Sequence, residues 1–127
     1  MKDYPENLKY TGEHEWLREE GGEAMIGITA FAQKELGDIV FIDIDTEGET
    51  LKIGEKFGAI EAVKTVSDLY MPVSGTVLSV NPVLETAPEM INKDPYGEGW
   101  MIRIQLIDPT ELNGLMSAVD YEDFTGA

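Results

Sequence analysis

Short segments rich in Val, Ile, Tyr and Phe recur along the chain, each separated from the next by Gly, Asp, Asn or Pro. That rhythm leaves little room for long helices and selects a β-rich domain with tight connections. Strands are expected near residues 24–28, 39–44, 56–63, 68–71, 75–80 and 101–105. In residues 39–45, Val40, Ile42 and Ile44 alternate with Asp43 and Asp45, so one face is expected in the core and the other in water. The turn EGETLKIGE places Gly48 and Gly54 on either side of a further short strand, where each can take positive φ and reverse the chain.

Two segments break the β rhythm. Thr29, then AFAQKEL, then Gly37 has the N-cap and the glycine stop of a short helix near residues 30–36. Further on, Asp108, Pro109 and Glu111 supply a cap, a first-turn proline and an early acid. Leu112, Leu115, Met116 and Val119 then follow at i, i+3, i+4 and i+7, predicting an amphipathic C-terminal helix within residues 108–124 despite Gly114. Its apolar stripe is expected to pack on a sheet.

A chain of 127 residues supports one domain, taken as residues 1–127. Its 25 Asp and Glu against 9 Lys and Arg give a formal charge of −16. Such a surface repels nucleic acid and anionic lipid headgroups, and leaves basic proteins as the compatible partners. The acids are spread out, with some clustering in residues 13–23, 43–49 and 120–123, as on a solvated surface. There is no cysteine, so neither a disulfide framework nor a thiol nucleophile is available, and any redox chemistry must come from an attached group. MKDYPENLKY has the character of neither a signal peptide nor a transit peptide. Apolar runs such as residues 39–42 fall far short of the ~20 residues that cross a bilayer. A soluble cytoplasmic protein is expected.

Against that acidic background, EAVKTVSD (residues 61–68) sets Lys64 at or beside the reversal of a hairpin within residues 56–80. A Schiff-base or general-base lysine is made by burial or by a neighbouring cation, and a turn flanked by Glu61 and Asp68 offers neither. Val63 and Val66 favour extended backbone, while Thr65, Ser67 and Asp68 supply local hydrogen bonds for a tight bend. The result is a rigid platform for one flexible primary amine. Lys64 is therefore either an ordinary solubilising turn residue or an amine for another enzyme to acylate, which would make it a long tether for a cofactor. His14 is the single histidine, and with Glu13 and Glu15 beside it the segment lacks the converging ligands of a metal site. No metal is expected. No nucleophile–base pair or phosphate-cradling glycine loop points to an enzyme either.

HEW at residues 14–16, GIT at 27–29, LGDIVF at 36–41, EAVKTVSD at 61–68, P-x-SG at 72–75 and INKDPYGEGW at 91–100 occur in this order along nearly the whole chain. Together they resemble the H-protein family of the glycine cleavage system. The resemblance implies a mainly β, lipoyl-type sandwich of two antiparallel sheets (a barrel-sandwich hybrid), elaborated by helices, with the modified lysine at a hairpin tip. It implies lipoate in amide linkage to Lys64, so that the missing sulfur is imported on the arm. The arm would accept the aminomethyl group of glycine from a pyridoxal-phosphate-dependent decarboxylase and deliver it to a tetrahydrofolate-dependent aminomethyltransferase. A flavoprotein dihydrolipoamide dehydrogenase would then reoxidise it. The implied role is a non-catalytic carrier, and a monomer is expected because a shuttle visits its partners in turn.

The resemblance also assigns Glu15 to a cleft where the loaded arm rests, as an acceptor for the amine. Glu61 and Asp68 are set beside Lys64 for reading by a lipoate ligase or lipoyl transferase, with solvated hairpin acids as the alternative. Pro72 and Gly75 are read as turn punctuation, and residues 92–97 as a turn-rich loop that seats Trp100. The sequence departs from the family pattern at Ala62, where serine is common, at Glu13, and in FIDIDTEGE, which lacks a proline before its turn. Biotinyl domains differ by methionines on both sides of their lysine, and 2-oxoacid dehydrogenase lipoyl domains by D-K-A. A lipoate donor or relay and an unmodified acidic interaction module remain the alternatives.

Overall fold

Trp16 and Leu17 are adjacent in a strand and both are buried, so they must face two different interiors. The computed structural model, which describes residues 4–126, shows how. In spatial order, the larger sheet runs β1 (Lys9–Tyr10), β2 (Glu15–Glu20), β3 (Glu23–Ile28), β9 (Ile102–Leu106), β8 (Gly75–Val80) and β5 (Thr50–Leu51), every neighbouring pair antiparallel. The smaller sheet is β4 (Ile39–Asp43), β6 (Lys56–Ala62) and β7 (Val66–Tyr70), also antiparallel. Neither closes into a barrel.

Leu17, Ala24, Ile26, Ile102 and Ile104 of the larger sheet share the main core with Phe57, Ile60 and Leu69 of the smaller one. On the other side of β2 and β3, Trp16 and Met25 join a second cluster with Tyr4, Leu8, Tyr10, Ala118 and Tyr121. Each large apolar side chain so enclosed contributes roughly 1.5–3 kcal/mol. Tyr10 and Tyr121 stack, their ring centroids 4.8 Å apart. Strands β1 and β2 are absent from the sequence expectation because, with cover on both faces near the start of β2, EWLREE never alternates cleanly.

The expected short helix is present as α1 (Ala30–Leu36). Thr29 Oγ1 accepts from the Ala32 N–H at 3.2 Å, and Gly37 follows at φ +83°. Two short helices not expected from the sequence, α2 (Val83–Thr86) and α3 (Met90–Lys93), precede β9; α3 takes up the start of the supposed loop at 92–97.

The C-terminal segment is corrected more substantially. A helix does end the described chain, but residues 108–124 do not form one helix. A 3₁₀ turn, Pro109–Gly114, is capped by Asp108, the chain extends at Leu115, and α4 (Ala118–Thr125) starts at a Ser117 cap. Met116 exchanges backbone hydrogen bonds with Tyr10, at 2.9 and 2.8 Å, which a continuous helix would forbid. Val119, placed on the apolar stripe by periodicity, is exposed, and α4 docks through Ala118 and Tyr121 instead.

β4 also departs from simple alternation. A register shift between Ile39 and Phe41 leaves both Val40 and Phe41 exposed, while Ile42 and Ile44 stay partly buried. Gly48 and Gly54 take the positive φ expected of them. Gly75, read as a turn glycine, lies instead in β8, where a Cβ would stand 2.8 Å from the Gln105 carbonyl oxygen.

Candidate functional site

β6 and β7 form the lysine hairpin. The Ala62 N–H donates to the Thr65 carbonyl at 2.8 Å, so Val63 and Lys64 make the reversal, and both are exposed. The tip is tied to the body from behind, because the Val63 N–H donates to the Asp38 carbonyl at 2.9 Å. Beside it, the Lys64 stem lies across Gly37, where a Cβ would come within 3.3 Å of the lysine Cε. Gly37, at φ +83° and ψ −157°, occupies a backbone region essentially reserved for glycine.

Asn92 of α3 fixes that segment in turn. Its amide nitrogen donates to the Gly37 carbonyl at 3.0 Å and to Gln33 Oε1 at 2.9 Å, while its Oδ1 accepts from the Ile39 N–H at 2.9 Å. One side chain thereby locks the end of α1 to the start of β4, immediately behind the lysine. The sequence marks Asn92 only as part of a turn-rich motif.

Glu61 pairs across to Val66, and Asp68 lies two residues further along β7, so both acids project from the outward face of the smaller sheet. Both are exposed. Asp68 forms an ion pair with Lys56 at 3.2 Å and accepts from the Tyr70 hydroxyl at 3.5 Å. The structure thus brings Glu61 and Asp68 to the lysine hairpin but not into contact with the amine.

Glu15 stands apart from them. It is 2 % exposed, and one carboxylate oxygen accepts from the Tyr70 N–H at 2.9 Å. Tyr70 ends β7 while Lys64 precedes its start, so the two are separated by a strand of about 17 Å. Burial pushes the Glu15 carboxyl up to about 8 and the nearby Glu13 adds to it, against the opposing pull of the Tyr70 and Thr11 hydrogen bonds. Glu15 lines a cleft of about 490 Å³ whose walls include Glu13, Ile53, Tyr70, Pro72 and Met116.

The residue before Glu15 aims it. His14 has φ +67°, the only described non-glycine residue with positive φ. The fold holds it there through its carbonyl, which accepts from the Thr29 N–H at 3.0 Å, and through its ring, whose Nδ1 is 2.7 Å from the Tyr121 hydroxyl. That hydroxyl is 2.8 Å from Thr29 Oγ1. Burial lowers the His14 pKa against the raising influence of Glu13 and Glu35. His14 is therefore a buttress joining α4 to β2, and among the described residues no group of acids and histidines converges as metal ligands. Tyr121 is invisible as a site residue in the sequence, since nothing in YEDF signals a partner so far upstream.

Two open antiparallel sheets, presenting one braced lysine at a hairpin tip and a cleft with a buried carboxyl at the far end of the same hairpin, define a carrier domain. The family model described as "Glycine cleavage H-protein" matches residues 8–127. The glycine cleavage system H protein of Bacteroides fragilis is 55 % identical over 125 residues, 98 % of this chain and 99 % of that protein. The same protein of Symbiobacterium thermophilum is 53 % identical over 125 residues, 98 % of each chain. The crystal structure of a glycine cleavage system H protein from Mycobacterium marinum superposes with a TM-score of 0.85 at 36 % identity, covering 97 % of this chain and 99 % of that one.

The chain belongs to the glycine cleavage H-protein family. It is a non-catalytic lipoyl carrier of the glycine cleavage system, with lipoate bound covalently to a lysine as its cofactor, and it works with the other proteins of that system. No described helix is long and apolar enough to cross a membrane.

Proposed function

We propose that Lys64 is the lysine that carries lipoate, and that the chain uses it to move the aminomethyl group of glycine. The observation that carries this reading is an exposed amine on a two-residue reversal braced from behind by α1, α3 and β4. When bound, lipoate supplies a dithiolane able to take up the aminomethyl group at the pyridoxal-phosphate-dependent decarboxylase, yield it at the aminomethyltransferase and be reoxidised by dihydrolipoamide dehydrogenase.

The chain's own residues hold and protect. The rigid tip limits the freedom of the lysine backbone, so only the side chain has to be ordered when a partner engages it. Glu15 serves the amine cargo in the cleft. Empty, the carboxyl is largely protonated at neutral pH, since burial raises it to about 8. An ammonium seated beside it favours the carboxylate, so seating releases a proton from Glu15 and leaves an ion pair screened from water. Glu61 and Asp68, beside the tip, are read by a lipoate ligase or lipoyl transferase. The same reading makes the chain a monomer, because a shuttle must expose its tip to each partner in turn, and its bacterial relatives favour a cytoplasmic location.

The test is intact mass with peptide mapping of protein made in cells supplied with lipoate and a ligase. A single lipoyl amide on Lys64 is expected, with none in Lys64→Arg, which keeps the charge but not the acylable amine. In a reconstituted glycine cleavage system Lys64→Arg is expected to show no turnover while retaining the native circular dichroism spectrum. An unmodified Lys64, beside a fully modified control lipoyl domain, would sink the reading in favour of an unmodified acidic interaction module.

A further inference from the structure

We propose that Tyr121 of α4, acting through the His14 ring, positions Glu15 to hold the amine cargo, so that the C-terminal helix sets how long the loaded arm keeps what it carries. The inference rests on the reading of Glu15 as the acceptor for that amine.

The chain turns between β1 and β2 through residues 11–14. The His14 N–H donates to the Thr11 carbonyl at 3.1 Å, and the Thr11 N–H donates to the Glu15 carbonyl at 3.0 Å. A turn closed in this way ends in a left-handed residue, ordinarily glycine, and His14 fills that place at φ +67°. Both bonds would form equally well with glycine there, so they do not account for a histidine. A side chain kept at a strained position, next in sequence to a buried carboxyl, points to a use for that side chain.

What the ring touches identifies the use. Thr29 Oγ1 accepts from the Ala32 N–H, which leaves its own hydrogen to donate to the Tyr121 oxygen, and the Tyr121 hydroxyl then donates to His14 Nδ1. The donors run one way, from the cap of α1 through α4 to the turn, and they require a neutral imidazole that accepts at Nδ1. Tyr121 is a rigid post for this purpose, fully buried, with the Tyr4 and Tyr10 ring centroids 4.9 and 4.8 Å from its own. α4 bears on the same turn a second time. The Phe124 ring centroid lies 6.0 Å from that of His14, and a Cβ on Gly12 would stand 3.6 Å from Phe124 Cζ. On leaving the turn the chain reaches Glu15, whose N–H donates to Thr11 Oγ1 at 3.2 Å and whose carboxylate accepts from the Tyr70 N–H at 2.9 Å. Gly12, Glu13 and Glu15 line one cleft. Freeing His14 from Tyr121 lets the turn relax out of its left-handed residue, and the first side chain to follow is that of Glu15.

The test compares the full chain with three variants of the support. Tyr121→Phe keeps the ring and its stacking without the hydroxyl. His14→Gly gives the turn its ordinary residue but removes the anchor. His14→Asn tolerates the left-handed backbone and offers Oδ1 where Nδ1 stood. The first readout needs no lipoate: the Glu15 carboxyl is titrated by carbon-13 NMR, its signal assigned by its loss in Glu15→Gln. Tyr121→Phe and His14→Gly are expected to raise the acid constant of Glu15 at least about tenfold, while His14→Asn titrates as wild type does. For the second readout each lipoylated chain is loaded from glycine by the decarboxylase, separated from it, and timed for release of ammonia. Tyr121→Phe and His14→Gly are expected to release it at least about tenfold faster than wild type, and His14→Asn at the wild-type rate. A Tyr121→Phe chain that matches wild type in either measurement would overturn the proposal, as would His14→Asn behaving like His14→Gly. Release from Glu15→Gln at the wild-type rate is a separate outcome, which sinks the reading of Glu15 and this proposal with it.

Discussion

Burial holds the Glu15 carboxyl at about 8, so at neutral pH the folded protein keeps a proton that the unfolded chain, with a pKa near 4.5, has released. The folded state thus binds more protons throughout that window, and stability falls as pH rises from 4.5 towards 8. Glu15→Gln preserves an acceptor for the Tyr70 N–H and removes the titration. The variant is expected to be more stable than wild type at pH 7 by on the order of 3 kcal/mol, with the difference nearly gone at pH 4.5, as read from urea midpoints. The same substitution removes the anion proposed to hold the amine cargo, so added stability and lost retention of the loaded arm should appear together. Gly37 offers a second test at this scale. Any side chain there is strained by φ +83° and ψ −157° and also meets the Lys64 stem. Gly37→Ala is expected to lose about 2 kcal/mol by chemical denaturation.

The elements behind the hairpin depend on Asn92 more than its modest place in the sequence implies. Asn92→Ala removes three hydrogen bonds that join α1, α3 and β4, and leaves the Ile39 N–H without its acceptor. A loss of roughly 2–3 kcal/mol is expected. Hydrogen exchange should speed up at the Ile39 and Val63 amides while those of β3, on the other sheet, keep wild-type protection; uniform acceleration would show that Asn92 is not a local brace. Those contacts also mark what the sequence could and could not disclose. Strands with one wet face, such as β6 and β8, were legible through their alternation and flanking turns, and α1 through Thr29 and Gly37. β2 was not, because Trp16 and Leu17 enter different cores. The break between the 3₁₀ turn and α4 was not, because it depends on Met116 pairing with Tyr10, across more than a hundred residues of chain. At the site, the position of Lys64 in a hairpin reversal could be read locally, whereas the support from Asn92, Gly37 and Tyr121 is made of long-range contacts with no local pattern.

At the scale of the whole molecule, a net charge of −16 acts on a body with a radius of gyration of about 14 Å. At 0.01 M ionic strength the Debye length is about 30 Å, so charges repel across the entire fold; at 0.15 M it is about 8 Å and only neighbours interact. Unfolding relieves that repulsion by expanding the chain, so added NaCl is expected to raise the melting temperature at pH 8. Lowering the pH from 8 to 6.5 should also stabilise the protein, through Glu15, by on the order of 1–2 kcal/mol. Below about 6.5 the half-buried His14 works in the opposite direction: its folded pKa is lowered, so the unfolded chain takes up the proton first and stability is lost. The two sources can be separated because salt screens the distributed surface charge but hardly reaches a carboxyl that is 2 % exposed. In Glu15→Gln the response to NaCl should persist while the gain between pH 8 and 6.5 disappears. If that gain survives the substitution, distributed surface charge rather than the buried cleft acid governs the pH response.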